Sequence, residues 1–286
     1  MNHRIYLPDG LLEGIGEVKL LDKILITSDA KLTPLGSCTY WALVGLVLFT
    51  LVYKLSRYTT PLFFKGYKQM TIHDQRDWDT RFGNILFSAY TAYGTIYAVM
   101  VDDLFWAPGH LPMMTRTSSD TYALLGIAIG FFLMELAVTI KYWMGGTAMI
   151  IHHLGSLVSV LCAAFFGEGH CATLWMLSTE FTTPFIAFRY LLDKGGLKSH
   201  PIYVINGIVI LVSWTVTRLA TFVPFFIVMW RYRDQILLMN PVVQLLLIGF
   251  TPTLAVLNAY WYTKIVRGAI KVLAPQKRSK PATKID

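Results

Sequence analysis

The chain has 286 residues, of which 55% are hydrophobic and only 15% charged. Soluble domains carry nearer 25% charged residues, so this composition excludes an ordinary soluble enzyme and indicates an integral membrane protein. The formal charge of +8 lies in loops between apolar runs and in a basic tail rather than on one soluble module, so no nucleic-acid partner is expected.

In chain order, residues 1–36 form an extramembrane leader that mixes charges with short apolar clusters. It has no basic start followed by an unbroken apolar core, so no cleavable signal peptide is read. Within it, Leu11–Ile26 reads equally as an amphipathic helix lying on the membrane or as plain chain. Seven runs then meet the roughly 20-residue length of a bilayer crossing: 37–56, 84–102, 122–143, 147–167, 171–191, 203–230 and 241–266. The second is rich in Tyr and Thr and is the weakest of them. The joins after the third and fourth runs are so short that those helices must be antiparallel neighbours. Backbone amides in lipid must be satisfied within their own segment, so the expected fold is an all-α polytopic bundle of about seven transmembrane helices.

Lys and Arg crowd one side of this arrangement: Lys54 to Arg81, Lys141, Arg189 to Lys198, and the set from Lys264 onward. The positive-inside rule then places the N-terminus in the lumen or outside and the C-terminus in the cytosol. The three cysteines, Cys38, Cys162 and Cys171, have no paired spacing and define no disulfide framework.

Ionisable groups deep in a bilayer cost about 2.5–3.5 kcal/mol each and usually face a cavity or one another. Here they are Glu135, His152, His153, Glu180 and Arg218, with Asn206 and Asn258 as polar companions. At helical spacing His152 shares a face with Gly155, Ser156 and Ser159, whereas His153 leads toward Leu157 and Val160. His152 is therefore the cavity-facing candidate, and His153 packs against it or orients it. Glu180 shares a small, polar face with Thr183, and Pro184 removes the hydrogen bond that the Glu180 carbonyl normally accepts. That geometry suits a binding site and a structural kink equally. Arg218 needs a counter-charge, and Glu135 and Glu180 are the two central acids available. Gln244, Thr251 and Asn258 recur every seven residues and read as a cavity lining or as interhelical hydrogen bonds. Gly126 and Gly130 form a close-packing motif on the face away from Glu135. Adjacent histidines diverge by about 100° on a helix, so no metal site is expected.

Trp78-Asp-Thr-Arg81, the MIIHHLGS segment, Glu180-x-x-x-Pro184-Phe185, Val204–Ile208, Arg218, and Asn258 with TKIVRGAIKV together resemble the TLC domain (TRAM, Lag and CLN8 homology). Within that family they are most similar to the small TLC-domain-containing subgroup that includes the vertebrate form numbered four, and more distantly to ceramide synthases. The resemblance covers residues 78–272, leaving 37–77 as a first helix with its basic loop and 273–286 as a basic cytosolic tail. It implies a multi-pass protein of the endoplasmic reticulum or a related endomembrane, engaged with membrane lipids, sphingolipid or fatty acyl species among them, in lipid homeostasis. In ceramide synthases the paired histidines belong to the acyl-transfer site, so the resemblance makes His152, His153 and Glu180 the catalytic candidates, with acyl-CoA as substrate and no resident cofactor. The acidic Asp pair of those enzymes is absent here, which leaves enzymatic activity open. Glu135, Ser156, Thr183, Asn206, Arg218 and Asn258 are the candidate cavity residues. A seven-span receptor or transporter is a third, remote reading that rests on span count alone.

Overall fold

The computed structural model describes residues 32–100 and 112–273. The leader segment Leu11–Ile26 and the tail residues 274–286 lie outside the described residues. Those described are mostly helical, with no β-strand among them, and the helices gather into seven rods.

α1 (Pro34–Phe63) starts where the Thr33 hydroxyl accepts the Gly36 N–H at 2.9 Å and Pro34 occupies the first turn. α2 (Ile72–Met100) follows a short 3-10 turn, Lys65–Gln69. α3 (Ser119–Tyr142) begins at a reciprocal capping pair, in which Ser118 and Thr121 each bond the other's backbone N–H. α4 (Gly146–Phe166) is joined to α5 through Gly167 and Gly169, both left-handed at φ near 64° and 70°. Only glycine adopts those dihedrals without strain, and the turn brings α5 back antiparallel.

α5 consists of His170–Ser178, a 3-10 turn Thr179–Thr182, and Thr183–Lys194. α6 (Pro201–Arg231) contains a π-turn at Thr215–Ala220. After a short helix, Arg233–Ile236, α7 runs through Pro241–Leu245, a π-turn at Leu246–Phe250, and Thr251–Leu273. The three distorted turns share one cause. Pro184, Pro224 and Pro252 each collide with the carbonyl four residues earlier, at Glu180, Ala220 and Ile248. Each of those residues lies within a distorted turn, where the ladder has loosened or tightened to make room.

Five of the rods are long and apolar enough to cross a membrane: α1, α3, α4, Pro201–Arg231 and Pro241–Lys271. Their outward faces are apolar too. Leu43, Val47, Leu51 and Leu55 of α1 are each more than half exposed, a surface suited to lipid rather than water. With the matching polar interior described below, this makes the chain a multi-pass membrane protein.

α2 begins well before the expected position 84, so Trp78–Arg81 lies inside a helix rather than ahead of one. A search for apolar runs misses this polar first half, whose helix is held by burial instead. Asp79 accepts from Ser56 Oγ at 3.0 Å and Tyr67 Oη at 2.9 Å, and pairs with Arg76 at 3.0 Å.

Six rods close into a ring in the order α2, α3, α4, α7, α6, α5, and α5 returns to α2. α1 stands outside the ring against α2 and α3. A methyl group on Gly126 would touch Cys38 O, and one on Gly130 would collide with Ala42 O and Leu46 N, so the two backbones meet with nothing between them. The glycine motif thus packs α3 on α1, on the face away from Glu135. Phe87 stacks on Phe131 at 3.8 Å, and Phe49 meets Phe131 edge-on at 5.0 Å.

Candidate functional site

The ring encloses a cavity of about 550 Å³, a volume typical of sites that hold one small molecule. Its lining comes from α2 to α7, with none from α1. Its mouth lies at the end where α2, α4 and α6 begin and α3, α5 and α7 finish, among Arg81, Gly145, Arg189, Val204 and Lys264. Ile186, Ile208, Leu211, Met149 and Ile265 form an apolar middle. The floor is polar.

At the floor, Glu180 sits on the 3-10 turn that Pro184 imposes, and its main-chain carbonyl accepts the Thr183 N–H instead. The tight turn swings Thr183 back so that its hydroxyl donates to Glu180 Oε2 at 2.6 Å. Across the cavity, the π-turn of α6 carries Arg218, whose Nη2 donates to Glu180 Oε1 at 3.0 Å. Its Nε donates to Thr182 Oγ1 at 2.7 Å and Thr179 O at 3.0 Å, and its Nη1 reaches Asn258 Oδ1 at 3.4 Å. The guanidinium also stacks over Trp214 at 4.9 Å. Between the two central acids, then, Arg218 pairs with Glu180. A buried ion pair survives only with this degree of hydrogen bonding around it, because desolvation otherwise exceeds the mutual attraction.

His152 presents Nε2 to Glu180 Oε1 at 4.0 Å and meets the edge of Trp261 with ring centroids 5.5 Å apart. Its Nδ1 is buried and finds no hydrogen-bond partner among the described residues. His153 also lines the cavity, where its Nδ1 lies 3.2 Å from the Thr139 hydroxyl and its ring faces Phe132. The two imidazoles are therefore both at the cavity but tied differently, one to a carboxylate and one to a hydroxyl. Glu135 is buried on the α2–α3 side. With its amide nitrogen facing the carboxylate, Asn84 donates to Glu135 Oε1 at 2.6 Å.

Ser156 and Ser159 do not line the main cavity. They face a smaller space of about 60 Å³ behind His152, with Thr251 and Asn258. Gly155 lies against Phe250, which a methyl group there would strike. Asn206 lies off the cavity: its amide donates to Phe185 O at 2.9 Å and ties α6 to α5. The Gln244–Thr251–Asn258 face is likewise broken. The π-turn between Gln244 and Thr251 adds to the helix phase, and Gln244 turns to the carbonyls of Leu237 and Met239. Among the described residues no group of three or more His, Cys, Asp or Glu converges to hold a metal.

Sequence reading alone missed Asn84, Trp214 and Trp261. The two tryptophans stand four and three residues from Arg218 and Asn258, so they share a helix face with residues already singled out. That spacing was the available signal. Arg81, taken only as part of a motif, pairs with Asp77 and stacks on Tyr190 at 4.5 Å at the cavity mouth.

Chemically, the floor offers an imidazole backed by a fixed carboxylate, beneath apolar walls. It can accept or donate a hydrogen bond to a hydroxyl, amine or carbonyl and can exchange a proton with it. The family model for the TLC domain matches residues 77–267, which includes every floor residue. The chain belongs to the TLC-domain family. It is 23% identical to human TLC domain-containing protein 4 over 257 residues, covering 88% of this chain and 95% of that one. It is 27% identical to TLC domain-containing protein 4 A of Dictyostelium discoideum over 175 residues, 60% of this chain and 67% of that one. Similarity extends to Topoisomerase I damage affected protein 4 of Saccharomyces cerevisiae, at 25% over 189 residues, 60% of this chain and 64% of that one. The match runs from within α2 to within α7 and so takes in all six rods of the ring.

Proposed function

We propose that this TLC-domain protein acts in membrane-lipid homeostasis in the endoplasmic reticulum or a related endomembrane, by holding a lipid inside the helix ring. The observation that carries this reading is the cavity itself: an apolar middle between a charged mouth and a polar floor matches an amphiphile in both shape and polarity. The reading includes seven crossings, with α2 and α5 spanning despite their polar stretches because those stretches face the ring. The N-terminus is then lumenal or outside and the C-terminus cytosolic. The basic residues Lys54, Arg57, Lys141 and Lys194 stand at the same end as the cavity mouth, so the mouth opens toward the cytosol.

Native mass spectrometry of the purified protein tests it. The expected result is a retained lipid mass that is diminished in Gly268→Phe. Gly268 lines the cavity, and a methyl group there meets only open space, so a larger side chain at this position is aimed at narrowing the cavity. Protein that never carries lipid, with Gly268→Phe unchanged, would sink the proposal.

One observation favours a second reading, acyl transfer from acyl-CoA. The His152 imidazole stands beside a carboxylate that is anchored by Arg218 and Thr183, an arrangement suited to a general base whose conjugate acid needs stabilising. Incubation with labelled acyl-CoA and a panel of amine and hydroxyl acceptors decides it. Turnover that is abolished in His152→Ala supports this reading, and turnover unaffected by that substitution rules it out.

A further inference from the structure

The cavity is lined by four cations and three anions: Arg81, Arg189, Arg218 and Lys264 against Asp77, Glu135 and Glu180. Arg81 is neutralised by Asp77, and Arg218 by Glu180. Glu135 is held by Asn84 on the opposite, α2–α3 side. Arg189 and Lys264 remain, and neither faces a carboxylate among the described residues. Arg189 Nη1 donates to Tyr203 O at 3.0 Å, and its guanidinium lies over the Tyr203 ring at 3.9 Å. That fixes the plane of the group and leaves its other donors unused. The Lys264 ammonium stands over Tyr260 at 4.4 Å.

Other cations at this end of the molecule, such as Arg57 and Lys65, lie away from the cavity and need no explanation beyond membrane topology. Lys194 and Lys198 are paired with Asp74 and Asp193. Arg189 and Lys264 thus stand apart as uncompensated charges on the cavity wall. Arg189 lies about 13 Å above the floor, nine residues along the same rod from Glu180, and Lys264 about 9 Å above it, six residues along its own rod from Asn258.

We propose that Arg189 and Lys264 form a head-group site for a phosphate monoester, and that the cavity takes a single-chain amphiphile bearing that group. This rests on the lipid-holding reading above and narrows it. Two cations on different helices match a group of charge about −1.5 to −2 better than they match a carboxylate of charge −1. A cavity of about 550 Å³ is in the range that holds one small ligand, which a single-chain amphiphile suits better than a two-chain lipid. Gly207 belongs to the site as well, because a methyl group there would come within 2.6 Å of Arg189 Nη1. Its lack of a side chain is what allows the guanidinium to lie at the wall.

The test uses the full chain in a non-ionic detergent, with displacement of a fluorescent single-chain lipid as readout. The competitors are lysophosphatidate, the fatty acid and the monoacylglycerol of one chain length. Lysophosphatidate is expected to bind at least tenfold more tightly than the other two. Lys264→Gln, which removes an exposed charge with no hydrogen bond to lose, should weaken it at least fivefold and leave the monoacylglycerol unchanged. Gly207→Ala should do the same by displacing Arg189 while keeping its charge.

Equal affinity for all three competitors, or variants that bind as wild type does, would overturn the head-group site while leaving the lipid-holding reading intact. A fatty acid equal to lysophosphatidate would overturn the assignment to phosphate. Failure of every single-chain lipid to bind would overturn this proposal, whereas the lipid-holding reading falls only if native mass spectrometry finds no retained lipid.

Discussion

The α1–α3 seam and the floor of the cavity are both buried and both close-packed, yet they are held in opposite ways. At the seam, Gly126 and Gly130 let two backbones touch, and the phenylalanines beside them fill space. Nothing there has a partner that a substitution could restore. At the floor, one guanidinium binds Glu180, Thr179, Thr182, Thr183 and Asn258, so each group depends on the others being present. Shape governs the first region, and hydrogen bonding governs the second. Their responses to substitution should separate accordingly.

The largest effect is expected at the floor. Arg218→Met leaves Glu180 buried and unpaired, which costs about 3–5 kcal/mol. Thermal unfolding in detergent would register it as a large fall in midpoint. Adding Glu180→Gln to the same chain should recover part of that loss, because no buried charge then remains. If the double variant falls by the sum of the single ones, the two residues are not coupled and the contrast with the seam collapses.

Next comes Gly130→Ala, where a single methyl group meets the backbone of α1, with an expected cost of about 1–3 kcal/mol. Unlike the floor, this site should admit no rescue by a side-chain change on α1, since the colliding atoms belong to the main chain of Ala42 and Leu46. Restoration by any α1 side-chain substitution would contradict the packing described.

A smaller effect is expected from His152→Ala, which removes a ring that makes no hydrogen bond among the described residues and approaches Glu180 only to 4.0 Å. Retained lipid, or turnover if the second reading holds, should change while the unfolding midpoint moves little. A collapse of stability there would make His152 part of the scaffold instead.

The smallest lies at the clasp between α2 and α5, at the same end as the cavity mouth. The Lys194 ammonium, hydrogen-bonded to Asp74 at 2.7 Å, holds the Asp74 carboxyl below its usual range. A depressed folded value means that this contribution is complete above the unfolded pKa and fades as pH falls through the folded one. The pair is partly exposed, so Asp74→Asn should cost under about 1 kcal/mol at neutral pH. Wild type and variant should converge in stability on acidification, and a gap that widens instead would reverse the assignment.

Much of the fold was legible because membrane burial writes itself into composition. Apolar runs gave the rods to within a few residues for α3 and α4, and the short Gly-containing joins gave the antiparallel pairing. The start of α2 was not legible, since its polar turns are helical only through burial of Asp79 and Tyr67 against α1 and the 3-10 turn. The glycine pair on α3 identified a packing face but not its partner. Periodicity kept His152, Ser156 and Ser159 on one face, all three lining the smaller space, but misplaced Gln244, because a π-turn shifts a helix face in a way that residue spacing does not record.

By itself, then, the sequence determined the membrane class, the polar residues that had to find partners inside the bundle, and the prolines that would break its helices. Those follow from the energies of single residues in lipid and from local sterics. Only the tertiary structure decided that Arg218 takes Glu180 and not Glu135, that both histidines reach one cavity, and that Arg189 and Lys264 stand over it uncompensated. Pairing is a matter of distance between helices, and the distorted turns before Pro184 and Pro224 bring Glu180 and Arg218 within 3.0 Å of each other.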